Sequence, residues 1–71
     1  MRILLRNSLS EEFLKMDGGW TKQQKDGRTF ETSCEAVQYA AQFKDPGLEV
    51  LFAFEECQRE LRIPLRRAAA G

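Results

Sequence analysis

Two pairs of adjacent carboxylates are the residues best suited to acid–base chemistry in this 71-residue chain. Glu11 and Glu12 follow a polar segment, and Glu55 and Glu56 follow an alternating apolar run. Two carboxylates can act as acid and base when they converge on one substrate. Neighbours in a strand point to opposite faces, however, and neighbours in a turn splay into solvent. We therefore interpret both pairs as solvated turn residues and assign no catalytic residue.

Cysteine chemistry is limited because the chain contains no histidine, which removes Cys-His nucleophile systems and mixed Cys/His zinc sites. Cys34 and Cys57 match no Cys-x-x-Cys ligand pair. We favour two reduced thiols over one disulfide, since no export signal accompanies them. A helix amino terminus would activate Cys34, but Glu35 adjoins it and we expect an inert, partly buried thiol. The sequence predicts no metal site and no cofactor.

The net charge and the amino-terminal residues limit which classes of partner are expected. The chain carries 11 Lys and Arg against 11 Asp and Glu, a formal charge of zero, whereas dedicated nucleic-acid binders carry a basic excess. The apolar run Ile3–Leu5 is too short for a signal peptide or a membrane span. We expect a cytoplasmic, non-enzymatic protein with no membrane contact, and nucleic acid is the less favoured partner.

Alternation of apolar and polar residues predicts strands, at residues 2–7, 12–16, 48–55 and 59–65. Gly18-Gly19 predicts a tight turn, because glycine accepts positive φ, and Trp20-Thr21 prolongs the sheet beyond it. The segment 22–28 has no apolar residue and is predicted to be a surface loop. Pro64 cannot donate to a ladder, which favours an edge position for the last strand.

One amphipathic helix is predicted after Thr32, whose hydroxyl can accept from the amide of Glu35 in a capping box. Apolar residues then recur on one face for about three turns, and Lys44 and Pro46-Gly47 end the helix. The fold class is therefore α+β: a single sheet of four to five strands, antiparallel with a mixed sheet as the alternative, packed by one helix in the order β-β-(β)-α-β-β. We assign one domain to residues 1–65 and a flexible tail to 66–71.

The face of the sheet away from the helix carries the predicted interaction surface. A single helix covers one face, and the other is more apolar than a water-facing surface needs to be. We expect this open face to bind an unknown protein or a second copy of the chain through Leu4, Leu14, Leu51 and Ala53, with Trp20 at its rim. The alternative is that stems of arginine and lysine side chains cover the face.

Nucleic-acid binding is the second functional hypothesis. Trp20 would supply a stacking surface beside the basic loop 22–28. The cations of this patch come from the loop and the carboxy-terminal region, namely Lys22, Lys25, Arg28, Arg59 and Arg62. A solvated charged surface explains the same residues without a ligand.

The chain also resembles a group of small uncharacterised bacterial proteins. The resemblance is carried by Gly19-Trp20-Thr21, Phe30, the cap at Thr32–Glu35 and the strand at Val50–Phe54. It implies a bacterial origin and a fold similar to the one described above. It implies no activity, because these residues belong to turns, a cap and a core.

Overall fold

The computed structural model describes residues 1–43 and 45–65 as a five-stranded antiparallel sheet with one helix. The elements along the chain are β1 (Arg2–Asn7), β2 (Glu12–Leu14), β3 (Trp20–Thr21), a 3-10 turn (Gln24–Asp26), α1 (Ser33–Ala40), β4 (Leu48–Phe54) and β5 (Arg59–Pro64). Across the sheet the strand order is β3-β2-β1-β4-β5. The predicted α+β class and element order are confirmed. The tail predicted at 66–71 and the helix-ending role of Lys44 lie outside the described residues.

The central pair of strands, β1 and β4, supplies most of the core. Their antiparallel register runs from Arg2 opposite Ala53 to Asn7 opposite Leu48. Residues directly opposite each other share a face of the sheet. Both faces of this pair are buried; the helix-facing side includes Ile3, Leu5, Leu48 and Val50, and the other side includes Leu4, Leu51 and Ala53.

Helix α1 begins at the predicted cap and ends earlier than predicted. The Thr32 hydroxyl accepts a hydrogen bond from the Glu35 amide at 3.1 Å. Ala36 and Ala40 are buried, and their small side chains let the helix lie close to the sheet. The Phe43 amide donates to the Ala40 carbonyl, three residues back. This tighter bonding replaces the α-helical pattern after eight residues, so the predicted third turn is absent.

The loop 22–28, called the covering loop below, lies over the face that we expected to be open. Its Gly27 packs on Leu4 and Phe13, so closely that a Cβ atom there would lie 2.7 Å from Leu4 Cδ2. The loop then enters the sheet between β1 and β2. The Arg28 amide donates to the Leu14 carbonyl, and the Phe30 amide donates to the Ile3 carbonyl, both at 2.7 Å.

An ion pair covers the other end of the same face. Arg6 and Glu49 lie opposite each other on β1 and β4, and their side chains meet at 2.6 Å. Both side chains are nearly buried, at 11% and 8% exposure. Arg6 also lies 5.9 Å from the centre of the Phe13 ring. The arginine stem therefore contributes apolar cover, as the alternative to an open face predicted.

We expect Gly27→Ala to destabilise the protein, because the added Cβ would displace Leu4 or the covering loop. Overpacking of this kind costs about 1–3 kcal/mol in the free energy of unfolding. Urea denaturation followed by circular dichroism would measure it. Gly19→Ala is the control, since its Cβ would meet the exposed carboxylate of Asp17. Equal stability of the two variants would show that the covering loop does not pack as described.

The Arg6–Glu49 pair predicts a non-additive pair of substitutions. Arg6→Leu alone leaves the Glu49 carboxylate buried without its partner, and we expect a loss of about 3 kcal/mol in unfolding free energy. Adding Glu49→Leu removes the unpaired charge and should recover most of that loss. A double-mutant cycle by urea denaturation tests this. Additive losses would contradict a coupled, buried pair.

Candidate binding edge at strand β5

The predicted open face is not a free surface. Leu4 and Leu51 are 0% exposed, and Ala53 is 4% exposed. Leu14 is buried too, but on the helix-facing side, where it belongs to the main core. The covering loop and the Arg6–Glu49 pair bury the face, so the exposure on which the predicted interface depended is absent. These side chains could form an interface only if the covering loop moved away from this face.

Trp20 is occupied by packing within the protein. It lies opposite Leu14 on the helix-facing side and meets the Phe43 ring edge-on, with ring centres 6.1 Å apart. Only part of the indole is exposed. It serves as the margin of the core, so neither the rim of the predicted interface nor a free stacking surface exists at this position.

The predicted basic patch is dispersed. Arg28 is held over the rings of Phe30 and Tyr39, 4.8 Å from each centre. Arg59 and Arg62 belong to β5, at the sheet edge opposite β3. Adjacent residues of a strand alternate between faces, so Arg59 shares the helix-facing side and Arg62 the other side. These cations and Trp20 do not converge on one surface.

The loop lysines complete this dispersed pattern. Lys22 donates to the Ser10 carbonyl at 3.3 Å, beside the turn between β1 and β2. Lys25 is exposed within the 3-10 turn of the covering loop. That loop packs on the face away from the helix, whereas Trp20 lies on the helix-facing side. Lys25 and Trp20 therefore cannot contact one strand of nucleic acid from the same face.

Most of the other residues that could do chemistry occupy turns and exposed positions, but Glu12 is half-buried in β2, so its interpretation as a solvated turn residue is wrong. Glu11 is exposed and has a φ of 59°, as a turn residue, and Glu55 and Glu56 lie exposed in the turn between β4 and β5. Cys34 and Cys57 are free and exposed, so the expectation that Cys34 is partly buried is wrong. Cys34 lies at the start of the helix, before the apolar face begins at Ala36, so its thiol is exposed at the surface.

Asp17 has a structural role in the turn between β2 and β3. Its carboxylate accepts a hydrogen bond from the Gly19 amide at 2.8 Å. That bond, with the charge of nearby Lys15, lowers the pKa of Asp17. Gly18 supplies the positive φ predicted for this turn, at 90°. The geometry is explained by the turn and indicates no ligand.

Residues 1–43 and 45–65 form no group of three or more potential metal ligands among His, Cys, Asp and Glu. They also include no helix whose length and apolar character would let it cross a bilayer.

Strand β5 is unusual among the described strands because it is exposed along its whole length. All six of its residues are exposed, and two are large and apolar: Leu61 is 52% exposed and Ile63 44%. They lie opposite Phe52 and Val50 of β4, on the helix-facing side. The helix packs over β1 and β4 and leaves this apolar surface bare. We call Phe52, Leu61 and Ile63 the β5 apolar surface.

The outer edge of β5 presents backbone groups in a defined pattern. The Leu65 amide donates to the Leu48 carbonyl at 3.0 Å, which makes that pair a hydrogen-bonded one. Such pairs recur at every second residue, so the backbone groups of Leu61 and Ile63 point toward β4. Those of Glu60 and Arg62 point away from the sheet. Pro64, which has no N–H, occupies the next outward position.

Charges flank the exposed edge. On the face away from the helix, Glu60 and Arg62 form an ion pair at 3.4 Å along the strand. Sequence reasoning placed β5 at an edge correctly but did not identify Leu61 and Ile63 as exposed. The available signal was the single predicted helix, which is too narrow to cover five strands.

Amide exchange of β5 should alternate along the strand. In dilute protein we expect the amides of Glu60 and Arg62 to exchange with solvent much faster than those of Leu61 and Ile63, because only the latter two donate to β4. Hydrogen–deuterium exchange by NMR measures this directly. Uniform protection along β5, or protection of the even-numbered residues, would contradict the described register.

Comparison with known proteins assigns no family to this geometry. The sequence matches no protein-family model, and no curated protein or solved structure is significantly similar to it. The resemblance to small bacterial proteins therefore stays a prediction. The case for a function depends on the β5 edge and its apolar surface.

Proposed function

We propose that this chain is a non-enzymatic binding domain that accepts an extended polypeptide segment along β5. The observation that carries the proposal is that every residue of this six-residue edge strand is exposed. Strand addition to such an edge uses backbone hydrogen bonds for affinity and alternate side chains for specificity. The free thiols of Cys34 and Cys57 fit a reducing compartment, and a cytoplasmic location is part of the proposal.

The backbone of β5 supports strand addition. Glu60 and Arg62 direct their amide and carbonyl groups outward, where an incoming strand would meet them. Natural sheets commonly protect an edge with proline, charge or a bulge. Pro64 protects one end of β5, and the turn residue Gln58, with a φ of 53°, limits the other. The stretch between them remains available for pairing.

The side chains of β5 support a polypeptide ligand rather than a nucleic acid. The β5 apolar surface offers contacts to every second side chain of an added strand, which is how such edges select a sequence. Basic residues near it are balanced by acidic ones, as with Arg62 beside Glu60. Among the residues that the structure describes, a phosphate backbone would meet no concentrated positive charge at β5.

Proline at position 60 tests the proposal. Peptides of about ten residues, selected on the wild-type protein by phage display, would be synthesised and their Kd values measured by calorimetry. Glu60→Pro removes an outward N–H and places a ring in the path of an added strand, while the bonds to β4 remain. We expect Glu60→Pro to weaken binding at least about tenfold.

Glu60→Thr is the matched control, because it removes the same carboxylate but keeps the outward N–H and suits a strand. It should bind the peptides about as tightly as the wild type does. NMR shifts on peptide addition should be largest at residues 59–64. Peptides that bind both variants equally, or that shift the helix or the covering loop instead, would refute strand addition at β5.

A further inference from the structure

We infer that the partner for which the β5 edge is built is a second copy of the same chain. In the proposed dimer, the two β5 strands pair antiparallel about a twofold axis that is perpendicular to the sheet and lies midway between the two Leu61 residues. This inference rests on the proposed function and identifies its ligand. The two sheets would join into one, with both helices on the same side.

Symmetry leaves few registers for this pairing. Residues that lie opposite each other must have side chains on the same face of the sheet. A twofold axis perpendicular to the sheet meets this condition only when it is level with a residue, which then lies opposite its own copy. An axis at Arg59, Glu60 or Arg62 would set like charges directly against each other, which is destabilising. An axis at Ile63 would leave the outward carbonyl of Arg62 facing Pro64, which has no N–H to donate, and an axis at Pro64 would set two prolines against each other. Leu61 remains.

The Leu61 register satisfies charge and backbone together. It places Glu60 of each copy opposite Arg62 of the other, so each dimer gains two intermolecular ion pairs. Glu60 and Arg62 are also the residues whose N–H and C=O groups point outward, so each of these pairs exchanges two backbone hydrogen bonds. The ion pair within one strand, at 3.4 Å, shows that both charges already lie on one face.

The same register brings the exposed apolar side chains together. Leu61, 52% exposed in the single chain, would lie against Leu61 of the second copy. Ile63, 44% exposed, would lie opposite Arg59, whose stem can cover it. The β5 apolar surfaces of the two copies would then form one continuous apolar surface between the two helices. The Leu61 register therefore pairs the charged side chains of β5 and also covers its exposed apolar side chains.

The expected affinity is modest, because a strand of this length spans about 20 Å and buries little area. Sedimentation equilibrium over about 10 µM to about 1 mM should therefore show a monomer–dimer equilibrium. Glu60→Arg sets the introduced guanidinium against Arg62 across the axis, and Arg62→Glu sets two glutamates together. Each variant should dimerise at least about tenfold more weakly than the wild type.

Mixing the two variants gives the sharpest readout. Glu60→Arg and Arg62→Glu chains are complementary in the Leu61 register, so their equimolar mixture should recover dimers that neither forms alone. Lys22→Glu is the matched control for Arg62→Glu, with the same change in net charge, and should still dimerise because Lys22 follows β3, at the opposite edge of the sheet from β5. Recovered heterodimers also show that both variants are folded.

The outcomes separate this inference from the function on which it rests. A wild type that stays monomeric to about 1 mM, yet binds the selected peptides at β5, would overturn self-pairing and leave strand addition standing. A monomer that binds no peptide at β5 would overturn both. Dimers that persist in Arg62→Glu, or a mixture that stays monomeric, would refute the Leu61 register.

Discussion

The ladder between β1 and β4 is the interaction on which the rest of the structure depends. It joins the first strand of the chain to the fourth and buries side chains on both faces, with Leu5 and Val50 on one side and Leu4 and Leu51 on the other. A sheet buried on both faces needs two covers. One helix supplies the first, and the second is assembled from a polar loop and the Arg6–Glu49 ion pair.

The width of the helix then determines which part of the sheet is exposed. An eight-residue helix is about 12 Å long and 10 Å wide, whereas strands spaced about 4.8 Å apart make a five-stranded sheet about twice that wide. The helix sits over β1 and β4, and aromatic residues such as Trp20 and Phe43 extend the cover toward β3. In the other direction Leu65 packs against this core at the end of β5, but Leu61 and Ile63 stay exposed.

The sequence predicted what depends on local chemistry. The bounds of β1 and the cap at Thr32 follow from alternation and from one hydroxyl–amide bond, and both are confirmed. It failed where distant segments meet. The covering loop has no apolar side chain to signal that it packs on Leu4; it does so through Gly27, where the lack of a Cβ allows contact. Adjacent Phe13 and Leu14 are both apolar, so alternation alone could not show which one faces the helix.

A small chain gains particular advantage from an edge that selects its own copy. A domain of this size buries a limited fraction of its surface, and a second subunit is one of the usual supports. An edge that was apolar throughout would pair with any exposed strand. The order Glu60-Leu61-Arg62 restricts pairing, because reversal about Leu61 exchanges the two charges and aligns each with its opposite. A strand without that order meets like charge or none, so in the proposed dimer the charges that protect β5 from foreign strands favour the copy.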